Sequence, residues 1–468
     1  MKRWTVLCWF CLFAVALGAE EPSYKLVSKR KPGDVDHVQK QIDVAGRLVV
    51  FVNPQTGTSV STPATNTEAD THANKKEQRI PLKVRGIQEL EEVFIEPGNF
   101  LQGEQAKSTL GAWYFLKDDT TLTVDNKEEK PKLQPDSPLM AVDIREANVR
   151  LFRPEGLLTR EEHDLVDLQG NTLLLDFLLP HREMKIGESW KQSPDVMAVL
   201  LQLDLVFQMD IQSKLLEVKK NTAIIEISGW IEGSSDGTSS KMDVQGKYYF
   251  HLPTGRITWF GIIIRENRAA GYVVPGMEVV ARLQYRIKPL ATPEHLTPAV
   301  VEKITFDPKQ YDLLSFTDPG KQWQFLMDSH WYATNWNERQ SNFRLVKGGN
   351  LIAECSVATP VDVQSTQKFT LEQFVENIQK TLGDSFKEIV SQNSSTRDDG
   401  TTIYRVDVSG VVEDLQLRWI YYLITRNGEQ PRQETAVFIV EEKLLEAFQS
   451  SDQQMIESFE WVESGEKE

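Results

Sequence analysis

Hydrophobic and polar residues alternate through the middle of the chain, between Lys241 and Lys288. Lys241–Leu252 is rich in Tyr and Phe, Ile257–Arg265 is rich in Ile, Trp and Phe, and Met277–Lys288 alternates apolar with charged or amide side chains. A Pro-Thr-Gly-Arg sequence and a Pro-Gly sequence separate the three runs. Period-two alternation between turn-forming residues is typical of half-buried antiparallel strands. This stretch therefore predicts a three-stranded meander.

Shorter apolar or alternating runs predict further strands on the N-terminal side of the meander. They are Tyr24–Val27, Gln39–Val52, Ile80–Phe94, Trp113–Leu116, Thr120–Val124, Val196–Ile211 and Ala223–Glu232. Two of these runs, Trp113–Leu116 and Thr120–Val124, are close enough in the sequence to predict a hairpin around Asp118 and Asp119. Thr159 followed by Glu162 has the capping-box spacing that begins a helix, which we expect to continue into His163–Leu168.

The C-terminal third mixes short strands with amphipathic helices. Its predicted strands are Trp323–Met327, Phe343–Val346, Leu351–Val357, Phe386–Asn393, Thr401–Val411, Leu415–Thr425 and Gln433–Val440. Thr370–Leu382 predicts a helix with one apolar face that ends at Gly383. Two further helices are predicted at Glu441–Phe448 and Asp452–Phe459. Strands with helices grouped around them indicate an α+β sandwich.

These patterns predict a mostly β, α+β protein with two domains, which suits a length of 468 residues. An antiparallel β-rich domain covers 20–290 and an α+β domain covers 313–462. Pro293 and Pro298 lie in the segment 291–312 between them, which predicts a linker. Residues Asn53–Gln78 are mostly Thr, Ser, Asn and other polar types, which predicts a disordered loop. A charged tail follows at 463–468.

The first 19 residues have the pattern of a secretory signal peptide. Lys2 and Arg3 precede an apolar stretch at Val6–Leu17, and small residues end at Ala19. The apolar stretch is short for a transmembrane helix. We expect cleavage near Ala19, an exported protein that is periplasmic or extracellular, and no integral membrane span in the mature chain. Retention of residues 1–19 as an anchor is the alternative.

The net charge indicates which classes of partner are disfavoured, and the cysteine content indicates whether disulfides can form. The formal net charge is −16, which disfavours nucleic acid and anionic membranes as partners. Cys8 and Cys11 lie inside the apolar signal segment, so Cys355 is the only cysteine of the mature chain. No intramolecular disulfide can form in it, and we expect Cys355 to be a buried thiol on an apolar strand.

Motifs that carry chemistry have structural interpretations here. The sequence 233–237 matches G-x-S-x-G with Ser235 in the nucleophile position, but strand-forming residues follow it where the motif needs a helix. We therefore predict a hairpin turn there. Asp398-Asp399-Gly400 lacks the further ligands of a calcium loop and predicts a β-turn. The seven histidines lack metal-binding spacing, and no nucleotide-binding motif occurs. The sequence predicts no cofactor, no metal site and no catalytic residue.

Four large aromatic residues, Trp323, Trp331, Tyr332 and Trp336, lie close together in the sequence. Exposed aromatic rings stack on sugars or anchor peptide partners. One interpretation is that all four rings fill the core. The other interpretation is a partly exposed binding surface. Strand alternation cannot turn all four rings inward, and polar residues surround Trp336. On this interpretation, Trp331, Tyr332 and Trp336 are candidate binding residues.

The C-terminal part, about 313–462, resembles the PsbP-like fold, an antiparallel sheet between helices. The resemblance lies in the sequence Gly-Lys-Gln-Trp-Gln-Phe at 320–325, the strand Phe343–Val346, the helix Thr370–Leu382 and the late strand Glu434–Val440 before a final helix. It implies an α/β/α sandwich that binds or assembles rather than catalyses. The N-terminal part resembles exported planctomycete-type bacterial proteins of unknown function, through residues 184–190 and 252–256.

Together these observations predict an exported, non-catalytic binding or scaffold protein that is not an enzyme. We expect its partner to be a protein or glycan of the cell envelope. The alternative is an exported hydrolase whose active-site residues are dispersed along the sequence.

Overall fold

The computed structural model describes residues 22–52, 76–100, 105–134, 137–146, 148–271, 273–307, 313–337, 339–348, 350–360, 370–427 and 431–462. The predicted signal peptide (1–19) and charged tail (463–468) lie outside these residues, as does most of the predicted loop (53–78). The last residues of that loop, 76–78, belong to a strand, because they pair with residues 50–52.

The N-terminal part is dominated by long antiparallel strands. The strands are β1 (Ser23–Lys25), β2 (Val35–Val52), β3 (Lys76–Glu96), β4 (Thr109–Val124), β5 (Lys127–Glu129), β6 (Leu139–Arg145), β7 (Asn148–Phe152), β8 (Leu158–Thr159), β9 (Glu183–Lys185), β10 (Ser189–Lys191), β11 (Leu205–Lys219), β12 (Thr222–Ser235), β13 (Thr238–His251), β14 (Arg256–Arg268) and β15 (Gly276–Leu290). The helices are α1 (Arg160–Val166), α2 (Pro194–Leu201), α3 (Pro298–Val301) and a 3₁₀ helix (Thr172–Leu178).

Twelve of these strands form one antiparallel sheet. Its order is β10-β11-β12-β13-β14-β15-β2-β3-β4-β6-β7, with β5 paired to β4. The predicted meander is β13, β14 and β15, so that prediction is confirmed. One face of the sheet is apolar: Tyr248, Phe260 and Tyr285 lie in one row across three strands and are fully buried. The 3₁₀ helix and α2 pack on this face.

Two predictions of local structure in this part are wrong. Residues 113–124 form one continuous strand, β4, because Asp118 and Asp119 stay paired with Gln88 and Ile87 of β3. We expected a strand over Val196–Ile211, but its first part, 196–201, belongs to the buried helix α2, and the strand begins only at Leu205. That run is apolar at every position after Asp195 and so has no period of two. Pro194 in the first turn favours a helix start.

The C-terminal part contains two more sheets. Its elements are β16 (Leu313–Thr317), β17 (Trp323–Asp328), β18 (Trp331–Trp336), β19 (Gln340–Lys347), β20 (Asn350–Ala358), α4 (Leu371–Leu382), β21 (Phe386–Thr396), β22 (Thr401–Val412), β23 (Leu415–Arg426), β24 (Arg432–Glu441), α5 (Leu445–Phe448), α6 (Ser451–Glu457) and β25 (Glu460–Trp461), with short 3₁₀ turns at Gly383–Ser385 and Glu442–Leu444. Seven strands form an antiparallel sheet in the order β18-β19-β20-β24-β23-β22-β21, and β25-β17-β16-β8 form a smaller one.

Helix α4 forms where the sequence predicts it. Thr370 and Gln373 make a capping box at its start, and Gly383, with φ +51°, follows its last residue. Phe374 and Ile378 on its apolar face pack against buried residues of β22 and β23. The chain is therefore mostly β with several antiparallel sheets and a small helical content, as expected for its fold class.

The two parts are joined by strand pairing and by a shared core. Strand β8 of the N-terminal part pairs in parallel with β16, with Leu158 opposite Leu314. The Arg160 guanidinium of α1 donates hydrogen bonds to the carbonyl oxygens of Ser329 and Trp331, the latter at 3.0 Å. Buried apolar residues of both parts belong to one continuous cluster.

The described residues of the predicted linker, 291–307, pack on the large sheet. The Glu91 carboxylate accepts hydrogen bonds from three successive backbone N–H groups, those of Glu294, His295 and Leu296, at 2.8–2.9 Å. These bonds hold the pKa of Glu91 below its usual value although its burial opposes this. The His295 ring stacks on Tyr114 with 4.1 Å between ring centroids. The division of the chain into two independently folding domains stays a prediction.

A buried ion pair fixes the element that joins the parts. Arg153 Nη2 lies 2.6 Å from Glu162 Oε1, and both side chains are almost fully buried. The Glu162 carboxylate also accepts hydrogen bonds from the backbone N–H groups of Gln134 and Thr159, and the Thr159 hydroxyl accepts one from the Glu162 N–H. This confirms the predicted capping box. The carboxylate thus holds β7, β8 and α1 in one arrangement.

We expect Glu162→Ala to lower the free energy of unfolding by about 3–5 kcal/mol, because it leaves the Arg153 guanidinium buried without its partner. Urea unfolding followed by circular dichroism measures this change. Glu161→Ala is the matched control, since Glu161 is exposed in the same turn and its loss should cost less than about 0.5 kcal/mol. Similar losses for the two variants would contradict this role of the ion pair.

Candidate functional site

The three candidate binding residues lie on β18, an end strand of the seven-stranded sheet. Trp331 is 1% exposed, and its ring meets that of Phe438 edge to face, with centroids 5.9 Å apart. A ring buried to this extent has no surface to offer a partner. The expectation that Trp331 contributes to a binding surface is therefore corrected: strand pairing with Leu345 places it on the core face.

Tyr332 makes contacts within the protein through both its hydroxyl group and its ring. Its hydroxyl donates a hydrogen bond to Asp236 Oδ1 at 3.2 Å, and the Arg160 guanidinium lies 4.5 Å from its ring centroid. Asp236 belongs to the tight turn between β12 and β13 and also lies 3.3 Å from Arg268. Burial, and then the Asp236 charge, raise the pKa of the Tyr332 hydroxyl. Tyr332 therefore connects the large sheet to the C-terminal part.

Trp336 is 51% exposed and is the one of the three whose ring faces solvent. A bulge between Ala333 and Asn335 shifts the alternation of the strand by one residue. Trp336 is then opposite Ser341 and lies on the same face as Trp331, whereas Tyr332 lies on the opposite face. The three candidate residues consequently do not form one surface, and Trp336 remains as the exposed aromatic at the margin of the core face.

A buried carboxyl group lies on the same face as Trp336, three strands away. Glu434 is 1% exposed; its Oε1 accepts a hydrogen bond from the Thr359 hydroxyl at 2.8 Å, and its Oε2 has no hydrogen-bond partner. Burial raises the pKa of Glu434 to about 7, and the nearby Asp318 charge adds to the rise while the Thr359 bond opposes it. A carboxyl group in such a site binds a proton near neutral pH.

The large sheet buries a second titratable group, Lys40, which is 3% exposed. Its ammonium lies 4.6 Å from the centroid of the Trp113 ring and 5.7 Å from that of Tyr285. Burial lowers the pKa of Lys40 to about 8, although the charge of Glu92 opposes the change. Glu92 itself accepts hydrogen bonds from Trp113, Arg30 and Thr172. The sequence carries a signal for this residue, because Lys40 has the same alternation as the buried Val38 and Ile42.

The large sheet also has an exposed apolar edge, which the sequence did not predict. At the start of β11, Leu205 is 58% exposed and Phe207 is 61% exposed. Strand β10 pairs with β11 only at Gln212–Lys214. The prediction of one strand over 196–211 obscured this edge, since it placed the strand start nine residues too early.

The remaining motifs have the structural roles expected of them. Ser235 is buried at the hairpin between β12 and β13, and a strand follows it, so the predicted turn is confirmed. Asp399 forms a turn in which its carboxylate accepts hydrogen bonds from the Thr401 N–H and hydroxyl. Cys355 is buried, and burial raises the pKa of its thiol. Among the described residues, no three His, Cys, Asp or Glu side chains are placed to hold a metal ion.

We expect Glu434 to make the protein less stable as pH rises from about 4.5 to 7. Its folded-state pKa lies above its unfolded-state value, so the folded state binds more protons in that window and loses this advantage as pH increases. Glu434→Gln keeps the hydrogen bond from Thr359 and removes the titration. It should therefore gain about 1–3 kcal/mol over the parent between pH 5 and pH 8.

Urea unfolding at several pH values measures this difference. Glu388→Gln, at an exposed position of β21, is the control and should follow the parent at each pH. A Glu434→Gln curve parallel to that of the parent would show that Glu434 ionises normally in the folded protein.

Comparisons with known proteins show no close relative. No protein-family model matches the chain, and no curated protein matches it. Among solved structures, the chain is similar to the Ran-binding protein Mog1p of Saccharomyces cerevisiae, at 14% identity and a TM-score of 0.25 over 32% of this chain and 96% of that one. It is also similar to the T6SS immunity protein TplEi of Pseudomonas aeruginosa, at 9% identity and a TM-score of 0.19 over 55% of this chain and 97% of that one. Scores at this level carry no argument about function.

Proposed function

We propose that the protein is an exported, non-catalytic binding protein, and that the end of β18 around Trp336 is a contact surface for its partner. The observation that carries the proposal is the exposed Trp336 ring at the end of an edge strand. Asn335 and Asn337 on either side of it are exposed as well. Trp is among the residue types that most often carry the binding energy of an interface.

The buried titratable groups favour binding over catalysis. Lys40, Glu434 and Cys355 are each at most 3% exposed, and Lys40 lies in a different sheet from the other two. A catalytic group must reach its substrate within hydrogen-bond distance. Ser235, the candidate nucleophile of the alternative hydrolase, is buried in a hairpin turn. No described contact brings it to a histidine, so nothing specific favours the hydrolase.

The cellular setting is part of the proposal. The signal-peptide pattern of residues 1–19 supports export, and the acidic composition supports a partner that is neither nucleic acid nor an anionic membrane. No helix among the described residues has the length and apolar character needed to cross a membrane. We propose a PsbP-like fold for about 313–462, on the resemblance of the sequence motifs given above, and a protein or glycan of the cell envelope as the partner.

We expect Trp336→Ala to leave thermal unfolding nearly unchanged and to weaken partner capture by roughly thirtyfold, because exposed anchors commonly carry at least 2 kcal/mol of binding energy. Capture from the envelope fraction by the immobilised protein, quantified for each captured species, is the measurement. Trp331→Ala should instead destabilise the protein by about 3–5 kcal/mol, since it removes a buried ring.

Leu415→Ala is the matched surface control, because Leu415 is 50% exposed on a hairpin of the same sheet. It should leave both unfolding and capture unchanged. Equal capture by the parent and Trp336→Ala would remove this surface from the proposed function.

A further inference from the structure

We propose that the open edge of β11, residues Leu205–Asp210, binds an extended apolar segment of another protein that carries basic residues on both sides. The bound segment would lie beside β11 as an additional strand of the large sheet. This goes beyond the surface at Trp336, because it uses another sheet and other residues.

The side chains of this segment are unusually apolar for an exposed strand. Leu205 and Phe207 project into solvent, and Val206 and Met209 are half-buried against the core. Single exposed apolar residues are common on protein surfaces, but an exposed apolar edge strand is a site where other strands add. Proteins usually protect such an edge with Lys, Pro, other charged residues or a β-bulge; this segment has no Lys or Pro, and its protection is limited to the bulge at Phe207 and the charge of Asp210.

The backbone of the segment is open on one side. On its inner side the segment pairs with β12 at Leu205, Val206 and from Gln208 onwards, with Phe207 as the extra residue of a bulge, whereas on the outer side β10 reaches only Gln212. The Ile211 carbonyl oxygen accepts a hydrogen bond from the Gln192 N–H, which comes from the outer side. Because backbone groups alternate along a strand, the N–H and C=O of Met209 also face outward. Within the described residues, no strand covers this position.

The negative charge around the β11 edge favours a bound segment that carries basic residues. Residues 192–213 contain Asp195, Asp204 and Asp210 and no Lys, Arg or His, with Lys191 and Lys214 just beyond them. Asp204 Oδ2 accepts a hydrogen bond from the Gly237 N–H and interacts with the Arg268 charge, so Asp210 is the less engaged of the two carboxylates at the edge. Asp204 and Asp210 are exposed at the two ends of the apolar segment. Basic residues on both sides of a bound strand would lie near these carboxylates, which favours binding. A second copy fits less well, because antiparallel pairing centred on Phe207 places Asp204 opposite Asp210, and like charges directly opposite are destabilising.

A synthetic peptide tests the proposal. The probe has a Thr-Val-Thr-Val-Thr-Val core, two lysines at each end and a fluorescent label, and fluorescence anisotropy reports its binding. We expect saturable binding to the full-length protein, at least tenfold weaker binding of the same core with glutamates at the ends, and at least tenfold weaker binding to Phe207→Ser. Phe207 is exposed, so this substitution should leave the unfolding transition in place.

Two matched pairs separate strand addition from other effects. Met209→Pro removes the outward N–H and should weaken binding at least fivefold relative to Met209→Ala, which loses the same packing but keeps the donor. Leu415→Ser removes a comparably exposed apolar side chain elsewhere and should bind like the parent.

Three results would overturn the proposal: no saturable binding of the lysine peptide, equal binding of the lysine and glutamate peptides, or unchanged binding by Phe207→Ser. Concentration-dependent dimerisation that Phe207→Ser abolishes would show instead that a second copy occupies the edge. Trp336→Ala should bind the peptide as the parent does. A negative result for the β11 edge therefore leaves the proposed contact surface at Trp336 unaffected, and the two proposals can fail separately.

Discussion

The buried contact between Arg153 and Glu162 is the interaction on which the arrangement of the two parts depends. It sets the start of α1, and the residues beside it make the contacts across the chain: Leu158 pairs with Leu314, and Arg160 binds the carbonyl oxygens that precede and begin β18. A buried charge stays buried only if its partner and hydrogen bonds are kept in place. Loss of this arrangement would release β8 and α1 together and thereby uncover the start of β18.

The contacts of Arg160, the core and the bulge in β18 determine which aromatic residues can serve a binding function. Tyr332 contacts Arg160 and Asp236 within the protein, and Trp331 is buried in the core. The bulge in β18 then leaves Trp336 outside. The exposed surfaces that remain are the ends and edges of sheets, where unpaired backbone groups and apolar side chains occur together. The proposed binding function rests on such surfaces.

The fold was predictable where neighbouring residues decide the structure. Strands β13–β15 and helix α4 follow from alternation, turn residues and caps that lie within each segment. The helix at 194–201 was not predictable from periodicity, because an all-apolar run is compatible with a strand or a buried helix. Strand β18 was missed because its bulge interrupts the period of two. The role of Tyr332 depends on Arg160 and Asp236, which are distant in the sequence, and the open edge at Phe207 depends on where β10 ends.

Amide hydrogen exchange along β16 and β18, followed in the intact protein by mass spectrometry, tests the account most directly. Strand β16 has partners on both sides, β17 and the N-terminal β8, so the Leu314 and Ser315 amides should exchange as slowly as those in the middle of β24. The segment after the bulge, which ends at Trp336, should exchange much faster. Fast exchange at Leu314 and Ser315 would show that the two parts do not form the joined structure described above, and slow exchange around Trp336 would show that its edge is covered.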